Sequence, residues 1–202
     1  MSIVGEALHD KGRDGARRAK RWLETTTRVT VSWLNTEPAV GERCQFDWPY
    51  GGRKFSFDIG GFLRGQDFDG HSFLAECKKY GTVGNQSTEY PEYLAKCYVA
   101  YQQQPKWSNH FMWITWHPFN VTNWASLCST EFVHKSVLGE RSRVLGTQDE
   151  NEAKVLISDN TVRAVAERLW LLVLSDKQEK LVISREHLAL IRAHEVSEGT
   201  AS

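Results

Sequence analysis

The sequence has few cysteines, no excess charge of either sign and no long hydrophobic run. Its four cysteines are widely spaced and form no CxxC pair, which argues against a zinc ribbon and favours reduced thiols over a disulfide framework. Lys and Arg together number 25, as do Asp and Glu. The overall charge therefore indicates no nucleic-acid or membrane partner, and any attraction to a polyanion must come from local patches.

Two further signals that the sequence lacks bear on the cellular location of the protein. No segment approaches the ~18 consecutive apolar residues of a membrane span, and the N-terminus lacks the charged-then-apolar layout of a secretory signal peptide. We therefore expect a cytoplasmic protein without a membrane partner. With 41% hydrophobic residues, including 8 Trp and 9 Phe, the 202-residue chain is expected to form one packed core with an appended subdomain.

Hydrophobic periodicity predicts alternating helices and strands in the first part of the chain. After the hairpin a strand, a long helix and another buried strand follow one another, which is the pattern of a parallel crossover. The predicted elements are a helix over 3–24 that is loosened near Gly12 and Gly15, a strand over 28–34, a hairpin of strands 54–63 and 71–80, a helix over 88–103 and a strand over 109–119.

The sequence pattern predicts fewer helices and strands in the second part of the chain. The periodicity of residues 159–175 indicates an amphipathic helix that is capped by Asp159 or Asn160. The other predictions are loops over 136–154, a short strand over 180–184, a last helix over 185–196 capped by Ser184, and a frayed tail after Val196.

Charged residues interrupt the otherwise apolar strands of the predicted hairpin. Side chains of the same parity share one face of a strand, so Glu76 and Lys78 lie together, opposite the apolar face that carries Cys77. Asp58 is the lone acid of the preceding strand. If the hairpin is centred near Asp67, Asp58 lies directly across from Glu76.

Two carboxylates paired across a sheet repel each other, since their Cβ atoms are only ~4.5–5.5 Å apart. A half-buried pair of this kind needs a compensating cation. A hard divalent ion with oxygen ligands from Asp58, Glu76 and the Cys77 carbonyl would supply it, and Lys78 would then stand beside the metal-bound water. A structural ion pair between Glu76 and Lys78 is the alternative interpretation.

The sequence motif resembles that of the PD-(D/E)XK phosphodiesterase superfamily, which has the restriction-endonuclease-like fold. The motif consists of Asp58, a hairpin and then Glu76-Cys77-Lys78. Phe57 stands where that family usually has proline. The order of elements over residues 3–119 is similar to the superfamily core, and the basic first helix is similar to that of the Mrr-like and Holliday-junction-resolvase-like branches. In those branches an acid of this helix often joins the metal shell, and by position it would be Glu6 or Asp14.

The resemblance implies an α/β fold with a restriction-endonuclease-like three-layer core over 1–120, in which helices flank a mixed sheet. From the residues themselves we predict a C-terminal helical or mixed extension over 121–196, packed on the core, and a disordered tail over 197–202. The implied activity is that of a metal-dependent endonuclease acting on nucleic acid, DNA above all, with Mg²⁺ or Mn²⁺ as cofactor and Asp58, Glu76 and Lys78 as catalytic residues. By analogy of fold alone, such a compact enzyme works as a homodimer or within a defence or repair assembly.

The candidate nucleic-acid contacts are basic or polar residues near the motif. Arg17, Arg18 and Arg21 belong to a basic helix face, and residues 9–28 contain seven Lys or Arg and three acids, a local net charge of +4. Lys79 follows the motif directly and Gln86 lies in the next loop. Contact with phosphates and simple solvation are both open interpretations of these side chains.

Two interpretations from other functional classes stay open. One is a catalytically silent nuclease-fold subunit that binds nucleic acid or a partner protein, although such a copy need not retain Asp58, Glu76 and Lys78 together. The other is an unrelated α/β interaction module with a structural Glu76–Lys78 pair. Metal-dependent thermal stabilisation would separate the nuclease-fold interpretations from this module, because a structural ion pair does not need magnesium.

Overall fold

A computed structural model describes residues 3–199, with side chains for residues 12–198. The helices of this range are α1 (Ile3–Thr25), α2 (Gln86–Gln103), α3 (Thr130–Gly139), α4 (Arg141–Leu145), α5 (Glu150–Leu156), α6 (Asp159–Ala166) and α7 (Arg185–Gly199). Its strands are β1 (Val29–Leu34), β2 (Gln45–Asp47), β3 (Lys54–Ser56), β4 (Ile59–Leu63), β5 (Ser72–Lys78), β6 (His110–Thr115) and β7 (Leu169–Val173). None of these helices is long and apolar enough to cross a membrane.

Five of the strands form one mixed sheet in the order β1–β4–β5–β6–β7, and β2 pairs with β3 in a separate ribbon. Strands β1 and β5 both run antiparallel to β4, whereas β6 runs parallel to β5 and β7 runs parallel to β6. Helix α2 makes the crossover between β5 and β6, as the sequence pattern predicts. The fold is therefore α/β with a mixed sheet flanked by helices.

Helices cover both faces of this sheet. On one face α1 packs on β1 and β5 through the buried residues Ala16, Ala19 and Leu23. On the other face α2 contributes to a core that also includes α3 and α6. Because both faces are covered, the central strand β5 is buried along nearly its whole length. Its polar side chains reach solvent only near its C-terminal end, where Lys78 is half-buried.

Helix α1 is continuous, and the predicted loosening near Gly12 and Gly15 is wrong. Gly15 instead allows a close approach between this helix and the end of β5. A Cβ atom at position 15 would lie 2.8 Å from the Cβ atom of Lys79, which real contacts essentially never show. The glycine is required by the distance between the two backbones, and it places α1 beside the charged end of β5.

Strand β7 corrects the predicted helix over 159–175. Helix α6 ends at Ala166, and residues 169–173 form an edge strand beside β6. Leu169 and Leu171 pack on the core that includes α2, whereas Trp170 and Leu172 pack on the core that includes α1. This alternation is that of a strand buried on both faces, and a short apolar run of this kind fits a strand or a helix equally well at the level of sequence.

Other C-terminal predictions also need correction. The polar segment 136–154 contains the end of α3, all of α4 and most of α5 instead of loops, because a polar segment suits a surface helix as well as a loop. Residues 180–184, which lie within the described chain, form no strand. The cap of α6 is Ser158, whose hydroxyl accepts a hydrogen bond from the Thr161 amide, and not Asp159 or Asn160.

The last predicted helix is confirmed. Ser184 Oγ accepts a hydrogen bond from the His187 amide at the start of α7, as expected of a cap. Residues 197–199 of the predicted disordered tail belong to this helix. Residues 200–202 lie outside the described residues.

Candidate functional site

The hairpin of β4 and β5 brings Asp58 and Glu76 together. The register pairs Ile59 with Ala75, as predicted, and leaves Asp58 at a bend just before β4 and near Glu76. The predicted strand over 54–63 is thus broken at this bend, and its first part, β3, pairs with β2. The Asp58 amide donates a hydrogen bond to the Ala75 carbonyl at 2.9 Å, and Asp58 Oδ2 accepts one from the Cys77 amide at 2.8 Å. One hydrogen bond from the Asp58 backbone and one to its carboxylate thus hold this residue against the end of β5.

Phe57 anchors the backbone in front of Asp58. Its side chain is fully buried, and its ring centroid lies 6.1 Å from those of Tyr93 on α2 and Phe111 on β6. Because this apolar residue is fixed in the core, the acid that follows is held at the rim of the sheet.

Lys78 lies near the end of β5 between two carboxylates. Its Nζ atom is 3.0 Å from Glu76 Oε1 and 3.5 Å from Glu89 Oε2, and it lies 5.6 Å from the centroid of the Trp113 ring. Burial lowers the pKa of Lys78, but the charges of Glu76 and Glu89 outweigh this effect and hold the pKa above its ordinary value. Lys78 is therefore an ammonium ion at neutral pH.

Only one oxygen of Glu76 is paired. The residue is 7% exposed, and while Oε1 contacts Lys78, the buried Oε2 has no hydrogen-bond partner among the described residues. Burial and the neighbouring Glu76 charge raise the pKa of Asp58 to about 7, against the opposing effect of the Cys77 amide. When Asp58 is ionised, the two carboxylates carry more negative charge than Lys78 balances, and a further cation would offset this excess.

These groups line an open cavity with a volume of about 560 Å³. Gly12 of α1 contributes to one wall, and the segment that joins β5 to α2 contributes Lys79 and Asn85. The cavity gives a molecule from solvent access to Asp58 and Glu76.

Cys77 can offer a metal only its carbonyl oxygen. Its side chain belongs to the core that includes α1, and burial raises the pKa of the thiol well above its ordinary value, so the thiol stays neutral. Within residues 12–198, no group of three or more His, Cys, Asp or Glu side chains is arranged to hold a metal ion. A metal ion here would therefore depend on two carboxylates, backbone oxygen and water.

Of the two predicted helper acids, only Asp14 has a described side chain, and it is not part of this cluster. Glu6 lies in the part of α1 whose side chains are outside the described residues. Asp14 is exposed, and its carboxylate lies 3.1 Å from Lys79 Nζ and 3.9 Å from Arg18 Nη1. The structure thus places Asp14 beside the cavity as a partner of Lys79.

The basic residues of α1 differ in how accessible their side chains are to a phosphate group. Arg17 and Arg21 are exposed. Arg18 forms ion pairs with Asp176 and Glu179, so its charge is engaged within the protein. Of the predicted phosphate contacts on this helix, Arg17 and Arg21 are thus the ones with exposed side chains.

Gln86 corrects the prediction of a nucleic-acid contact at that position. The residue is fully buried, where its side-chain Nε2 donates to the carbonyls of Val83 and His117. Its Oε1 accepts a hydrogen bond from Trp113 Nε1 at 3.3 Å. With its amide engaged in the core, Gln86 supports the start of α2 and does not face a substrate.

Sequence reasoning missed Glu89, which completes the surroundings of Lys78. The Tyr80 hydroxyl donates to Glu89 at 2.9 and 3.0 Å, and burial is the main cause that raises the pKa of Tyr80 to about 12, so the hydroxyl stays protonated. Glu89 lies in the first turn of α2, which begins just after β5. An acid in the first turn of the crossover helix is the signal that could have found it.

No protein-family model, no curated protein and no solved structure matches this chain. The interpretation of the site therefore depends on its own geometry.

Proposed function

We propose that the protein is a metal-dependent nuclease of the PD-(D/E)XK type, with Asp58, Glu76 and Lys78 as catalytic residues. The observation that carries the proposal is Glu76 Oε2, a buried carboxylate oxygen that lacks a partner within residues 12–198 and stands beside a second carboxylate at an open cavity. A structural ion pair with Lys78 accounts for Oε1 alone. A divalent cation held by Asp58 and Glu76 would account for both oxygens.

The order of elements supports a restriction-endonuclease-like core. Helix α1 precedes the antiparallel strands β1, β4 and β5, and the β5–α2–β6 crossover follows. The first acid lies just before β4, and the second acid and the lysine lie at the C-terminal end of β5. Residues 169–173 extend the same sheet by one strand.

Asp58, Glu76 and the Cys77 carbonyl would hold the cation, which we propose to be Mg²⁺ or Mn²⁺. Mg²⁺ keeps several waters when bound, so a set of few protein ligands suits it. When bound, the ion supplies a nucleophilic water at neutral pH and neutralises charge on the phosphate oxygens. Because the pKa of Asp58 is raised to about 7, a proton competes for the ligand, and metal affinity should rise with pH through this value.

Lys78 acts as a fixed cation in this proposal. Its raised pKa keeps the ammonium form, which has no lone pair to accept a proton from water. It instead stabilises the negative charge that develops on the phosphate in the transition state. Glu89 and the Trp113 ring hold the ammonium group in position for this role.

The proposed substrate is nucleic acid, with DNA as the first class to test. Lys79 lines the cavity, and the exposed Arg17 and Arg21 add positive charge on α1. Charges of this kind attract the phosphate backbone without regard to sequence.

The test is cleavage of a nucleic-acid panel by the wild type and by Asp58→Asn, Glu76→Gln and Lys78→Met. The panel contains duplex, single-stranded and branched DNA and RNA, each with Mg²⁺, Mn²⁺ or EDTA. We expect metal-dependent cleavage that falls by at least about 100-fold in each variant. The matched controls Asp67→Asn, Glu42→Gln and Lys106→Met change exposed residues and should keep wild-type rates.

Two results would contradict the proposal. Cleavage that survives in Glu76→Gln would show that the activity does not use this site. A wild type that neither cleaves any substrate nor gains thermal stability from metal would favour the structural ion pair. For a dissociation constant of about 1 mM, about 10 mM Mg²⁺ should raise Tm by about 3–5 °C.

A further inference from the structure

A second cavity opens between α1 and the segment over residues 174–184 that follows β7. Its volume is about 580 Å³, close to that of the metal-site cavity, the one that Asp58 and Glu76 line. Arg21 of α1 lines the second cavity on one side, and Lys180 of the segment lines it on the other. The proposed cleavage step does not involve this cavity and leaves its charged lining unexplained.

The acids that line the second cavity are engaged by Arg18. Glu179 accepts hydrogen bonds from Arg18 Nε at 2.5 Å and from Arg18 Nη2 at 2.6 Å, and Asp176 accepts one from Arg18 Nη2. The indole nitrogen of Trp116 also donates to Glu179. Both carboxylate oxygens of Glu179 therefore have partners, and the charge of Arg18 is balanced within the protein.

The two other cations of the lining have no such partner. Arg21 and Lys180 are exposed, and neither makes an ion pair or a side-chain hydrogen bond with a residue between 12 and 198. A hydrogen bond from Arg18 is the main cause that lowers the pKa of Asp176, and the charge of Lys180 makes a smaller contribution. In total the lining has three cations and two acids, a formal charge of +1. The second cavity thus has cationic groups left for an anion.

Arg21 and Lys180 reach the second cavity from opposite ends of the chain. Like charges that face one cavity repel each other, and an anion bound between them would remove this repulsion. The phosphate of a nucleic acid is an anion that arginine and lysine side chains bind in this way.

Helix α1 connects the second cavity with the metal-site cavity. Gly12 lines the metal-site cavity and Arg21 lines the second one, and at about 1.5 Å per residue they are separated by about 14 Å along the helix axis. Arg17 is exposed and lies one turn before Arg21 on the same face of α1. Lys79 lines the metal-site cavity, and its charge also acts on Asp176. The two cavities therefore lie side by side along α1.

We propose that the second cavity binds the phosphates of the nucleic-acid strand at a distance from the cleaved bond, through Arg21 and Lys180. The proposal rests on the proposed nuclease function, which supplies the strand. At about 3.4 Å per nucleotide, the separation of about 14 Å corresponds to about four nucleotides. Arg17 would then contact a phosphate between the two cavities.

The first test is fluorescence anisotropy of labelled single-stranded DNA with Ca²⁺ in place of Mg²⁺. One probe has about 4 nucleotides and the other about 12, because only the longer one can reach both cavities. Arg21→Gln and Lys180→Gln should each weaken binding of the longer probe by about two- to fivefold and leave the shorter probe unaffected. The double variant should lose about tenfold, and the slope of log affinity against log salt should become shallower by about 1.4.

Asp176→Asn should have the opposite effect. Its carboxylate is the more exposed of the two acids, and its loss leaves Arg18 paired with Glu179. We expect the longer probe to bind about two- to fivefold more tightly.

The matched controls are Arg53→Gln, Lys106→Gln and Asp67→Asn, which change exposed residues outside the linings of both cavities. Each should bind both probes like the wild type.

Two binding results would overturn the proposal. One is unchanged binding of the longer probe in the double variant. The other is an equal loss for the shorter probe, which would indicate a site for free phosphate or a single nucleotide instead of an extended strand.

Cleavage kinetics separate this proposal from the nuclease function. The double variant should raise KM for a long substrate with little change in kcat. Cleavage with an unchanged KM would remove the second contact and leave the nuclease. Binding of the longer probe that depends on Arg21 and Lys180, without cleavage of any substrate in Mg²⁺, would keep the contact and contradict the nuclease.

Discussion

Replacing Asp58 by Asn should stabilise the folded protein while it abolishes cleavage. Burial and the charge of Glu76 raise the pKa of Asp58 from 3.8 to about 7. Each pKa unit corresponds to about 1.4 kcal/mol, so the ionised group costs the folded state at most about 4 kcal/mol. Asn has the same shape, and its Oδ1 atom can still accept the hydrogen bond from the Cys77 amide. We expect the free energy of unfolding to rise by about 2–4 kcal/mol at pH 8.

The gain from Asp58→Asn should depend on pH. The pKa of Asp58 is higher in the folded state than in the unfolded state, so the folded wild type binds this proton more tightly. Its contribution to stability is present below a pH of 3.8 and is lost as the pH rises to about 7. The difference between variant and wild type should therefore grow by about 2 kcal/mol between about pH 5 and about pH 8.

Urea unfolding, followed by tryptophan fluorescence in EDTA at several pH values, measures this difference. Asp67→Asn makes the same change at an exposed position of the hairpin turn and should leave stability unchanged. A variant at position 58 that is no more stable than the wild type at pH 8 would refute the argument from buried like charges. A stabilised variant that still cleaves nucleic acid would refute the role of Asp58 as a metal ligand.

Three further predictions concern the fold. Burial is the main cause that lowers the pKa of His110 from 6.5 to about 4, so stability that is present above a pH of 6.5 should be lost as the pH falls towards 4. The ring is only half-buried and solvent screens part of this effect, so urea unfolding should show a loss of about 1–2 kcal/mol. His110→Asn should flatten this part of the pH profile, and a wild-type profile without the loss would contradict the prediction. Gly61→Ala would place a Cβ atom 2.5 Å from the ring of Phe73 and should cost about 2 kcal/mol or more. Gly139→Ala, where a Cβ meets no described atom within 4 Å, is its control and should not destabilise. Ser158→Ala removes the cap of α6 and should lower Tm by about 2–4 °C in calorimetry, and an unchanged Tm would show that this cap is dispensable.

The proximity of Asp58 to Glu76 could be predicted because it depends on local rules. The turn-forming residues near Asp67 set the centre of the hairpin, and the two-residue period of a strand sets which side chains share a face. The crossover from β5 to β6 could be predicted for a similar reason, since two apolar runs joined by a long helix require parallel strands.

Whether residues 169–173 form a strand or a helix depended on the rest of the chain. Five consecutive apolar residues suit a strand or a helix, and the free edge of β6, to which they hydrogen bond, decided between the two. That edge is formed by residues more than 50 positions earlier in the sequence, so no local pattern could indicate it.

The sequence by itself determined which residues form the motif, and the tertiary structure decided what surrounds them. Gln86 and Glu89 both lie in the first turn of α2, yet Gln86 is buried under the helix while Glu89 faces Lys78. Periodicity shows which side chains share a face of a helix, but the neighbour that each face meets depends on how the helix docks on the sheet. Docking is a sum of packing contacts between distant parts of the chain, and for that reason the partners of Lys78 became visible only in the folded protein.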